Sequence, residues 1–237
     1  MTKINFPKIL AFDVLVKIRK EIISYILIFL VCWIIIFFSF PKISPYLLSP
    51  YFDILGNRPL VFTSLEEAFF TILKASFYLS FGLTLPVLLI QLWKAISGEF
   101  YESEKIFLKK LIFISILFIL LGILAGYFFI IPLILKVFLY FGRSFIYDLK
   151  ISLFLLFILK TILFSILFFQ IPLFFALLIR EGIITDKLYK KKRLYFFALF
   201  YIIAIIFSPT DFIIQILLTL IFFLFFKSAF IIAKILK

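Results

Sequence analysis

The chain has 237 residues, 66% of them hydrophobic and 22% aromatic, while the charged residues make up only 16% and are confined to short intervals. No water-soluble domain with an apolar core and a polar shell has this composition, so the sequence describes an integral membrane protein. The formal net charge of +13 does not point to nucleic acid, because the Lys and Arg residues flank apolar runs instead of forming a face interleaved with stacking aromatics.

The chain lacks histidine, and its single cysteine, Cys32, lies inside an apolar run. An internal disulfide is therefore excluded, and no metal or haem ligand set is expected, nor any other cofactor. An intramembrane enzyme would need a nucleophile with a base, a metal ligand set or paired intramembrane aspartates, and none is present in the sequence. The amino-terminal residues carry two lysines but no compact apolar stretch ending in a small-residue cleavage site, so the first apolar run is expected to direct insertion itself.

In chain order, residues 22–40 are apolar and uncharged, enough to cross roughly 30 Å of hydrocarbon at about 1.5 Å per residue. Pro41 is predicted to end this first span. Residues 41–66, with Pro41, Pro45, Pro50, Gly56, Asn57 and Pro59, read as a structured loop outside the membrane. A second span is expected over residues 67–96, a third over 111–135 and a fourth over 151–179, the last interrupted only by Lys160. Seventeen residues separate Arg193 from Asp211 and fifteen separate Asp211 from Lys227, so the fifth span (194–208) and the sixth (212–227) are short. About 22 Å of helix must thin the bilayer or draw in its flanks, unless the sixth helix continues past Lys227.

Six spans with both termini on the inner side place 18 of the 25 Lys and Arg residues on that side, as the positive-inside rule requires. Internal repeats are not visible, which gives no support to an inverted-repeat transporter. The first inner loop then carries Glu99, Glu102 and Glu104, three of only twelve acidic residues. Two readings of this cluster stand side by side. Lys94, Lys105, Lys109 and Lys110 neutralise it locally, or it docks a cationic peptide whose guanidinium groups pair with the carboxylates.

Between residues 62 and 105 the strings Thr63-Ser64-Leu65-Glu66-Glu67-Ala68-Phe69-Phe70, Leu85-Pro86, Gln91-Leu92-Trp93 and Phe100-Tyr101-Glu102-Ser103-Glu104-Lys105 closely resemble the TatC family of the twin-arginine protein translocase. Gly122, Tyr127-Phe128 and Pro132 resemble that family's third helix, Phe169-Gln170-Ile171-Pro172 its fourth, and Ser208-Pro209-Thr210-Asp211 the turn between its fifth and sixth. The motifs stand in register over most of the chain. The resemblance implies a single all-α domain of six transmembrane helices, cup-like with a concave groove. It implies binding of signal peptides of folded proteins, assembly with small single-helix subunits into a proton-gradient-driven oligomer, and no enzymatic activity.

The resemblance further implies that Glu104 meets the signal peptide's arginines, with Arg19, Tyr101, Glu99 and Glu102 beside it. Gln170, Pro172, Glu67, Phe69, Pro86, Trp93, Pro209 and Asp211 are implied for the groove and partner-helix contacts. Two departures matter. Lys17, in Val14-Leu15-Val16-Lys17-Ile18-Arg19, replaces a glutamate of the family's His-Leu-x-Glu-Leu-Arg, and Gly98-Glu99 replaces Pro-Gly after the tryptophan. Either Glu99, Glu102 or Glu21 supplies the second negative group, or the cargo no longer carries two arginines.

Ionisable and polar groups at membrane depth are candidates for function by default. Glu67 opens span two, where a carboxylate suits a helix N-terminus. Lys74 lies two turns further in and is expected to snorkel or to pair with Glu66 or Glu67. Gln170 either polarises the groove or makes a helix-to-helix hydrogen bond, and Lys160 reads as an outer-side snorkelling residue. The alternative function is a proton- or ion-conducting subunit of a respiratory complex, which would need a continuous polar relay. Thirty-eight Phe and twenty Lys against five Arg suit a very A+T-rich genome. The expected location is therefore the mitochondrial inner membrane, with a plastid thylakoid or bacterial plasma membrane as alternatives.

Overall fold

The computed structural model describes residues 12–55, 60–97, 102–142, 149–180, 182, 184–185, 189, 191–207 and 212–235. These form helices α1 (Phe12–Leu55), α2 (Leu65–Ser97) and α3 (Glu102–Ala125), which passes through a π-helical turn, Gly126–Ile130, into α4 (Ile131–Phe141). Helices α5 (Ile151–Arg180), α6 (Arg193–Phe207) and α7 (Phe212–Ile235) follow. Among the described residues, four rods are long and apolar enough to cross a membrane: Val16–Leu55, Glu66–Gln91, Lys109–Phe141 and Ile151–Ile179. Two-residue strands β1 (Leu60–Val61) and β2 (Leu149–Lys150) pair in parallel immediately before α2 and α5, so these two helices start at the same end of the bundle and run the same way.

Pro41 does not end the first helix, as the sequence predicted; α1 continues through Pro41, Pro45 and Pro50 to Leu55. A proline inside a helix removes one N–H and costs about 3 kcal/mol when its i−4 carbonyl is stranded. The carbonyls stranded by Pro45 and Pro50 are served by side chains. Pro45 leaves the Pro41 carbonyl without its helical donor, and Ser44 Oγ donates to it at 3.5 Å. Pro50 does the same to Tyr46, whose carbonyl accepts from Ser49 Oγ at 3.2 Å and from the Tyr127 hydroxyl at 3.1 Å.

The π turn repeats this logic in reverse. Ile131 N–H bonds the Gly126 carbonyl, and Pro132 has no N–H to offer, so the Tyr127 carbonyl has no donor in its own helix. The hydroxyl of fully buried Tyr51 supplies one at 2.8 Å. The segment after Pro41, expected as a loop, therefore packs on α4 and α5, with Leu48, Tyr51, Leu55, Leu135 and Phe154 in one core cluster.

Helix α5 is the hub, packing against α2, α3, the π turn and α7. Its backbone comes close to α3 at Gly122 and to the π turn at Gly126, where the spacing of four puts both glycines on one face. The α3 carbonyl of Gly122 accepts a hydrogen bond from Ser165 Oγ at 2.7 Å. Aromatic rings fill the junction of α5, α6 and α7: Phe226 touches Phe175, Phe196, Phe200 and Phe230 at centroid distances of 5.0 to 5.5 Å. Helix α6 has 15 residues, about 22 Å at 1.5 Å each and short as expected. Helix α7 is not short, because its 24 residues run past Lys227 to Ile235.

Candidate functional site

Helices α1 and α2 lie antiparallel, joined by a ladder of polar contacts along their length. Trp33 Nε1 donates to Ser76 Oγ at 3.2 Å and to the Leu73 carbonyl at 3.3 Å. Further along, the Tyr25 hydroxyl meets Thr84 Oγ1 at 3.1 Å, and Gln91 Nε2 donates to Ser24 Oγ at 3.4 Å. Since Thr84 Oγ1 already donates to the Ser80 carbonyl at 2.8 Å, Tyr25 is the donor in its pair. Ser76, Ser80 and Thr84 are buried, and in a lipid surround such hydrogen bonds position helices that apolar burial cannot.

The Ser24–Gln91 contact fixes which ends meet. The start of α1, with exposed Arg19 and Lys20, stands at the end of the bundle where α2 finishes and α3 begins. Glu102 and Glu104 lie in the first turn of α3 and not in the turn before it, a position where carboxylates complement the helix dipole. Their side chains, and that of Trp93 near the end of α2, lie outside the described residues, as do Glu99, Tyr101, Pro209 and Asp211 altogether. Lys109 and Lys110 are exposed two turns further along α3, and Glu21 sits one turn beyond Lys17 on α1.

Glu67 and Phe69 are at the opposite end. Ser64 Oγ accepts the Glu67 N–H at 3.3 Å, and Glu67 Oε2 accepts from Thr63 N at 2.7 Å and Thr63 Oγ1 at 2.6 Å, a capping arrangement at the start of α2. Its other oxygen, Oε1, accepts from Ser152 Oγ on α5. The carboxylate is engaged by these groups and not by Lys74, which is exposed on the surface of α2. Phe69 packs edge-on against Phe37 of α1 at 6.0 Å. An apolar cleft of about 560 Å³ lies at this end too, lined by Leu55, Leu135, Phe138, Leu153 and Phe157 with Lys150 among them.

Between the two ends, Gln170 joins α5 to α3. Ser115 Oγ donates to Gln170 Oε1 at 2.9 Å, and Gln170 Nε2 donates to the Ser115 carbonyl at 3.2 Å. Pro86 and Pro172 lie inside α2 and α5. Replacing Gln170 by leucine should lower stability by about 0.6–2 kcal/mol, the range for hydrogen bonds between membrane helices. Glutamate at 170 accepts from Ser115 but, when ionised, has no proton for its carbonyl, so Gln170→Glu should melt between wild type and Gln170→Leu. Equal melting of all three in detergent would refute the two-bond clamp.

The sequence reading names Tyr127 only as part of a family string and misses Tyr51, Ser152 and Ser165. Pro50 and Pro132 signal the two tyrosines, by announcing carbonyls in need of donors, and no local pattern signals the two serines. Compared with known proteins, residues 13–220 match the family model described as Sec-independent protein translocase protein (TatC). The chain is 29% identical over 208 residues to the Sec-independent protein translocase protein TatC of Magnetococcus marinus, covering 87% of this chain and 77% of that one. It is 30% identical over 188 residues to the uncharacterized tatC-like protein ymf16 of Reclinomonas americana, covering 76% and 72%. A crystal structure of the twin arginine translocase receptor TatC superposes with a TM-score of 0.76 at 27% identity, covering 94% of this chain and 99% of that one. The match in sequence and in helix arrangement extends along nearly the whole chain, which belongs to the TatC family of Sec-independent protein translocase proteins.

Proposed function

We propose that this translocase subunit docks the signal peptides of folded precursors at the end of the bundle where α1 begins and α3 starts, with Glu104 as the main carboxylate. It works in protein transport and is not an enzyme. The observation that carries the proposal is the Ser24–Gln91 contact, which sets the start of α1, with Arg19, at the same end as the first turn of α3. A carboxylate in the first turn of α3 belongs to a sequence interval otherwise rich in Lys, and a guanidinium pair is the cation that a carboxylate holds in two parallel bonds. Arg19, Tyr101, Glu99 and Glu102 complete the site in this reading. Lys17 stands where the family's second glutamate would be, and Glu99, Glu102 or Glu21, one turn beyond Lys17 on α1, supplies the second carboxylate.

In the same reading both termini face inward, and a cup-like concave groove receives the signal peptide and small single-helix subunits, with contacts from Gln170, Pro172, Glu67, Phe69, Pro86 and Trp93 on the helices and from Pro209 and Asp211 between α6 and α7. The membrane is the mitochondrial inner membrane, in keeping with the tatC-like ymf16 relatives and the A+T-rich composition. A continuous polar relay for ion conduction is absent among the described residues, where Tyr25 with Thr84, Trp33 with Ser76 and Gln170 with Ser115 pair between helices. Glu104→Ala should reduce photo-cross-linking of a twin-arginine precursor in isolated membranes about tenfold or more, as expected for loss of a charge-assisted hydrogen bond. Lys17→Glu should increase it. Unchanged cross-linking in both variants would refute docking at this end.

A further inference from the structure

We propose that Lys160 and Tyr78 form a site within the membrane for a carboxylate carried by a membrane-spanning helix of another protein. The Glu67–Ser152 hydrogen bond sets the start of α2 and the start of α5 at one level. Lys160 lies eight residues beyond Ser152 and Tyr78 eleven beyond Glu67, so their backbones sit about 12 and 16 Å deeper along two helices that run the same way. The Lys160 amine stands over the Tyr78 ring, 5.9 Å from its centroid. The amine is therefore held beside α2. The depth of the two backbones is close to the middle of a hydrocarbon core about 30 Å thick.

Lys160 is exposed on the bundle surface, as is Lys74, one turn from Tyr78 on the same face of α2. A ring face attracts an ammonium but leaves its charge uncompensated. Among the described residues the chain offers no carboxylate at this level. Its twelve acidic residues cluster towards the helix ends and in the connections, with none between Glu21 and Asp53, Glu67 and Glu99, Glu104 and Asp148, or Asp148 and Glu181. Lipid phosphates are confined to the interface, about 15 Å from the midplane. The complement of a bilayer-facing ammonium at mid-depth is an acidic side chain on a hydrophobic helix. The site lies far from Glu104 and does not depend on signal-peptide docking.

The test uses the full chain in phosphatidylcholine–phosphatidylglycerol vesicles. The probe is a synthetic Leu/Ala helix of about 20 residues with Glu, Gln or Lys at its centre, labelled for energy transfer to the protein. The Glu helix should bind about tenfold or more tightly than the Gln helix. Lys160→Met, an apolar replacement that the bilayer tolerates, should remove that preference, Lys160→Glu should transfer it to the Lys helix, and Glu104→Ala should leave it intact. Equal binding of the Glu and Gln helices to wild type, or a preference that survives Lys160→Met, overturns the proposal. Loss of the preference as the phosphatidylglycerol fraction rises would mean that a lipid headgroup fills the site, and also overturns it.

Discussion

A Gly122→Val substitution should leave little folded protein in the membrane. A Cβ at Gly122 would stand 2.7 Å from Ile166 Cα, 3.1 Å from Ile166 N and 3.1 Å from the Ser165 carbonyl oxygen. All three are backbone atoms, so no rotamer change makes room and α3 must move away from α5. Overpacking of this kind costs about 1–3 kcal/mol where side chains can yield, and more is expected where they cannot. The shift would also break the Ser165 bond to the Gly122 carbonyl and pull on the Ser115–Gln170 clamp lower on the same helix pair. Gly126→Ala should be milder, because its new Cβ meets Ser165 Cβ at 3.0 Å and Ile162 Cα at 3.2 Å. The expected order of melting temperatures in detergent is wild type, Gly126→Ala, Gly122→Ala, Gly122→Val. A Gly122→Val protein that accumulates and melts like wild type would contradict the close crossing.

How much of this was readable beforehand depends on how far apart the interacting residues lie in the chain. The apolar runs gave the helices, since a span of lipid-facing backbone must bond to itself. Proline at 41 was read as a stop because local rules assume that a freed carbonyl goes to water. The donors to Tyr46 and Tyr127 come from residues 81 and 76 positions away, and no local pattern reveals them. Glu67 was legible as a helix-start carboxylate, but its partner Ser152 is 85 residues distant. Gln170 was read as either a groove residue or a helix tie, and the tie with Ser115 became visible only once α3 lay beside α5. For docking, the Tyr101-to-Lys105 string pointed to Glu104 by resemblance. That the start of α1 joins it at one end of the bundle required the α1–α2 ladder.

Tyr51→Phe should destabilise the protein by about 1–3 kcal/mol, the penalty for a buried group left without a partner. The hydroxyl's acceptor, the Tyr127 carbonyl, has no alternative: Ile131 N–H is committed to Gly126, and residue 132 is proline. Tyr127→Phe should cost less, because the Tyr46 carbonyl keeps Ser49 Oγ at 3.2 Å. Proline is the cause in both cases, so alanine at the proline should relieve the loss. In a Pro132→Ala background an N–H returns to the turn, and Tyr51→Phe should then cost measurably less than in wild type. Pro50→Ala should in the same way blunt Tyr127→Phe. Two double-mutant cycles read by thermal melting would measure this coupling. Strict additivity in both would mean that the tyrosines merely fill space, since loss of packing is indifferent to whether position 132 carries an N–H.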